Sequence, residues 1–107
     1  MPTMSTDQAE FVERLEELTD STPADPDCSE AYREGYQTLG RQILLELRAF
    51  KRGEMTFADL LEQMGRLHTR TVGLDNLPGH RERGYASHGR WLDNAIIVYR
   101  QRLERAA

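Results

Sequence analysis

The residues of this 107-residue chain best suited to chemistry are its three histidines, His68, His80 and His88, and the arginines around them. A histidine titrates near neutrality and can move a proton, bind a metal or sit against a phosphate. Spacing decides among these roles. A carboxylate-bridged di-iron site in a helical bundle needs Glu-x-x-His pairs, and no Asp or Glu stands three residues before His68 or His88. Zinc needs clustered ligands such as Cys-x-x-Cys or His-x-x-x-His. Here the histidines lie 12 and 8 residues apart, and Cys28 is the only cysteine. Neither a Walker-type loop nor a dinucleotide fingerprint is present. The expectation is therefore a protein without a metal site or cofactor.

All three histidines fall between His68 and Trp91, together with Arg70, Arg81, Arg83 and Arg90. Arginine forks match carboxylates, and half-exposed aromatic rings anchor interfaces. Arg70, Arg81, Arg83, Tyr85, Arg90 and Trp91 are thus the expected partner-binding residues. Within this stretch, Arg83-Gly-Tyr-Ala-Ser-His88 resembles the Arg-x4-His motif of the HEPN ribonucleases, which are small helical bundles. That resemblance implies metal-independent RNA cleavage across a dimer. His88 would act as general acid and base for a 2′-hydroxyl, and Arg83 would hold the phosphate as charge builds in the transition state. A third reading uses Arg81, Arg83, Arg90, Arg100, Arg102 and Arg105 as a phosphate-binding surface for single-stranded nucleic acid, with Tyr85 and Trp91 as stacking platforms. Against both, His68 falls on an apolar stripe with Phe57, Leu61 and Met64, and His88 shares a face with Leu92 and Ile96. Those placements fit structural histidines.

Helical elements have to position these groups. Ser5 with Gln8 forms a capping-box pattern that opens a helix over residues 7–19, with Phe11, Leu15 and Leu18 on one stripe. Residues 1–5 are expected to be flexible. Residues 20–28, holding Pro23 and Pro26, read as a linker. Asp27 with Glu30 is expected to cap a second and longest helix over 29–52, whose stripe is Tyr32, Tyr36, Leu39, Ile43, Leu47 and Phe50. Lys51-Arg52-Gly53 is a stop signal. Gly35 and Gly40, inside this helix, each cost about 1 kcal/mol relative to alanine, and close approach of another helix would offset that. Thr56 with Asp59 caps a third helix over 57–71. Residues 72–84 read as a long glycine-punctuated connection. A last helix is expected to start between residues 82 and 87 and to reach about residue 104. The expected core comprises Leu39, Ile43, Leu47, Leu60, Met64, Leu92, Ile96 and Tyr99.

Four amphipathic segments without strand alternation predict one all-α domain, a small four-helix bundle. The longest unbroken apolar run, Ala95-Ile96-Ile97-Val98-Tyr99, is far short of a membrane span. The N-terminus carries neither a basic patch nor an apolar run, so a soluble, cytoplasmic protein is expected. Residues 1–62 carry 14 acids against 6 bases, whereas residues 63–107 carry 4 against 8. The two halves either neutralise each other within one fold or face different partners. A net charge of −4 argues against general coating of DNA, since that affinity comes from neutralising phosphates. The apolar residues off the main stripes, Leu44, Leu45, Trp91 and Val98, point to a homodimer. The function these features favour is that of a small bacterial regulatory or accessory protein acting through protein–protein contacts, without catalysis.

Overall fold

The computed structural model describes residues 4–19, 23, 25 and 27–106, except for the side chains of residues 75 and 106. Ser5 and Gln8 exchange side-chain-to-backbone hydrogen bonds at 3.1 and 3.2 Å, which opens α1 (Thr6–Thr19) as its capping pattern predicts. The second helix, α2 (Glu30–Lys51), is capped differently from the expectation. Ser29, not Asp27, accepts the Tyr32 N–H, at 3.2 Å. Asp27 instead donates its own N–H to the Asp25 carboxylate. Ser29 wins because its hydroxyl also bonds to His80 Nδ1 at 2.8 Å, a tertiary contact that local spacing does not reveal. At the other end Gly53 adopts φ 78°, and the amides of Gly53 and Glu54 bond back to Phe50 and Ala49. This Schellman turn ends α2 where the Lys-Arg-Gly signal placed it.

Thr56 and Asp59 form a complete capping box at 3.1 Å in both directions and start α3 (Phe57–Thr71). A short 3₁₀ turn at Leu74–Asn76 follows, and α4 (His80–Ala106) begins earlier than the sequence suggests. The expected connection over 72–84 therefore shrinks to 72–79, and α4 rather than α2 is the longest helix. Gly84 lies inside α4 and punctuates nothing. It is buried against the backbone of α2, where a Cβ would fall on the Tyr32 carbonyl. Gly35 is its counterpart on α2: a Cβ there would fall on the Arg81 carbonyl. The two glycines remove the side chains that would otherwise separate the helix axes, and the first turn of α4 forms because α2 supports it.

The contacts Ser29–His80, Glu34–Arg81 and Tyr36–His88 advance together along α2 and α4, so these two helices run parallel. The pairs His68–Asp93 and Glu10–Arg102 set α3 and α1 antiparallel to α4. In a square up-down bundle α2 and α4 would be diagonal. Here the glycines let them touch directly, which flattens the bundle and leaves α1 and α3 on opposite flanks of a central pair. Leu39, Ile43, Leu47, Leu60, Met64, Leu92, Ile96 and Tyr99 are all buried, as their periodicity predicts. Phe11, Phe57 and Tyr99 pack ring to ring at 5.3–5.8 Å and tie α1, α3 and α4 together at one end. Among the described residues there is no strand, and no helix is long and apolar enough to cross a membrane. The expected flexible segment 1–5 and linker 20–28 fall largely outside the described residues.

Candidate binding groove

The structure sends the expected site residues in different directions. Arg83 and His88 lie on one helix five residues apart, which rotates them by about 140°. Arg83 is exposed and its Nε donates to the Leu77 carbonyl at 3.2 Å. The His88 imidazole is 0% exposed, stacked on the Tyr36 ring at 4.2 Å, with Nδ1 donating to the Tyr36 carbonyl at 2.5 Å. Gly40 makes room for it: a Cβ there would stand 3.1 Å from Cε1. Burial pushes the His88 pKa below its ordinary 6.5, and hydrogen bonds to the backbone of Tyr36 and Leu18 pull the other way with smaller effect. This ring ties α1, α2 and α4 together at a place no polynucleotide can reach.

Arg81 is engaged with Glu34, at 2.5 Å. The Tyr85 hydroxyl donates to Gln42 at 2.6 Å, and burial raises its pKa, offset in part by Arg70 and by that hydrogen bond. Trp91 is 58% and Leu45 63% exposed, while Leu44 and Val98 are half-buried. Three of the six expected partner-binding residues, Arg81, Arg83 and Tyr85, are thus engaged with other groups of the fold. His80 is spent on Ser29.

Two of the six, Arg70 and Arg90, border an open groove between α3 and α4. Its main chamber, about 830 Å³, has a floor of Ala58, Leu61, Gly65 and Ile96. A Cβ added at Gly65 would meet nothing within 4 Å, so this glycine leaves space instead of filling a contact. Arg66, Arg70 and Arg100 rim the chamber, with Glu62 and Asp93 as its acids. Arg66 pairs with Glu62 at 2.8 Å, and His68 Nε2 stands 3.6 Å from Asp93. Arg70 and Arg100 have no carboxylate within ion-pair distance among the described residues. A smaller depression beyond His68 and Asp93, bordered by Val72, Ala86 and Arg90, continues the groove toward the start of α4.

The charge division of the sequence is thereby resolved into two parts. Glu10–Arg102 and Glu34–Arg81 join the acidic half to the basic half within the fold. Arg66, Arg70 and Arg100 of the basic half line the α3–α4 groove. Of the groove residues, Arg66 was not among the expected site residues, and Arg100 was expected only as part of a phosphate-binding surface. Gly65 carried no signal at all, because a glycine that opens a cavity and one that packs against a helix look alike in sequence. No group of three or more metal-ligating side chains occurs among the described residues. No protein-family profile, no curated protein and no solved structure matches the chain.

Proposed function

We propose that this protein is a small accessory or regulatory module that acts by holding a partner protein in the α3–α4 groove, without catalysing a reaction. The observation that carries the reading is the groove itself: an apolar floor of Ala58, Leu61 and Gly65 along α3 with Ile96 of α4 beneath it, and a rim on which Arg70 and Arg100 have no carboxylate partner among the described residues. Apolar floor with polar rim is the anatomy of a protein interface. A nucleic-acid surface would be polar and uniformly basic, whereas Glu62 and Asp93 sit inside this one. The ribonuclease alternative would need His88 at the surface, and the burial of that ring favours the binding reading.

The test is site-specific crosslinking. A photoreactive phenylalanine analogue replaces exposed Thr69, at one end of the groove, in cells that make the protein, with a second copy of the experiment at exposed Leu45 on α2. The expected product is one defined protein adduct at position 69, absent at 45, which is then reconstituted from purified components and weakened by Arg100→Glu. Equal capture at both positions, or capture of RNA at position 69, would refute the proposal.

A further inference from the structure

Resting on that reading of the groove, we infer that its occupant is an amphipathic helix of a partner protein, apolar on one face and acidic along its flanks. Length and shape point to a helix. The α3 positions Ala58, Leu61, Gly65 and Thr69 recur at helical spacing and extend about 16 Å, the length of a three-turn helix. Two antiparallel helices form the walls, and the missing side chain at Gly65 leaves a hole into which one apolar side chain can insert, as helices pack ridge into groove. The free bundle leaves that hole unfilled, and a third helix laid against α3 and α4 would fill it.

Charge decides the rest. Within the groove Arg66 pairs with Glu62 and the His68 ring stands 3.6 Å from Asp93, so the lining holds three arginines against two carboxylates. Arg70 and Arg100 remain on opposite walls, one on α3 and one on α4. A helix between them meets a cation on each side, so carboxylates at its flanks gain two charge-assisted contacts and lysines suffer two repulsions. A second copy of this chain supplies no such helix from α1, whose buried stripe Phe11, Val12 and Leu15 is already used in the core. The helix mode of recognition gives affinity through the apolar face and specificity through the flanks.

The experiment uses three synthetic peptides of about 15 residues, long enough to span the groove. The first has leucine at every third or fourth position and glutamate elsewhere. In the second, lysine replaces glutamate, and in the third, serine replaces leucine. A single-stranded RNA of about the same length is the fourth probe. Binding to the full chain is read by fluorescence anisotropy and by amide shift mapping. The acidic amphipathic peptide is expected to bind about tenfold or more tighter than the lysine peptide, with shifts on α3 and α4. Arg100→Glu should weaken it about fivefold, as loss of one attraction and gain of one repulsion near the surface implies. Gly65→Leu, whose Cβ meets nothing within 4 Å, fills the hole and should abolish binding. Thermal melts of both variants confirm that they are folded.

A lysine peptide that binds in the groove as well as the acidic one would overturn the acidic-helix inference and leave the groove as a protein-docking site. Binding of the serine peptide equal to the leucine peptide would overturn the apolar part of the argument. No measurable binding of the acidic peptide overturns the inference while the crosslinking result stands or falls by itself, and preference for RNA in the groove overturns both.

Discussion

Replacing Gly84 by alanine sets helix propensity against helix packing, and the structure says which wins. Alanine is favoured over glycine by about 1 kcal/mol in a helix interior. A Cβ at position 84, however, would fall on the Tyr32 carbonyl of α2, a backbone atom that no rotamer change can move aside. Overpacking costs about 1–3 kcal/mol, and the upper end applies where the obstacle is main chain. A cost of about 3 less a gain of about 1 leaves Gly84→Ala destabilised by about 2 kcal/mol. Unfolding entropy for a chain of this size makes that a fall in Tm of about 9 °C. Gly65→Ala is the matched control. It lies in α3 with nothing within 4 Å of a Cβ, so only the propensity gain operates and Tm should rise by about 4 °C. Calorimetry or thermal circular dichroism on the three proteins reads both signs at once. If Gly84→Ala melts at or above the parent temperature, α2 and α4 are not in backbone contact there and the flattened-bundle argument fails.

His88, with its pKa depressed by burial, gives the protein a pH-dependent stability. The unfolded chain takes up a proton as pH falls through about 6.5 while the buried ring resists, so stability should fall from pH 7.5 to pH 5.5, as urea unfolding at the two pH values measures. His88→Gln should flatten that fall, and a fall of the same size in the variant would assign it to other groups. His88→Ala should cost about 3 kcal/mol through the cavity it leaves, with peptide binding in the α3–α4 groove unchanged. Ile43→Ala and Leu92→Ala, at fully buried positions, should each cost about 2–5 kcal/mol in chemical denaturation, and values near zero at both would place the core elsewhere. Purified protein incubated with RNA in chelator should yield no cleavage; cleavage lost in both Arg83→Ala and His88→Ala would instead establish the ribonuclease reading.

The sequence by itself determined what local chemistry controls. Ser5 with Gln8, Thr56 with Asp59, and the Lys-Arg-Gly stop each act within one turn of chain, and the structure places each where its residues predict. Periodicity likewise named the buried stripe, because a side chain's face follows from helix geometry alone. Tertiary structure decided what depends on two segments meeting. Ser29 displaced Asp27 as cap because His80, distant in sequence, bonds to it. Gly84 became part of α4 because Gly35 opposes it across a helix crossing, and a glycine signals a loop or a close contact with the same absence of side chain. Of the six expected partner-binding residues, Arg81 and Tyr85 found partners on α2, while Arg70 of α3 and Arg90 of α4 border the groove between those helices. Which arginines keep a free charge depends on where the acids of other helices fall, and only the packed bundle fixes that.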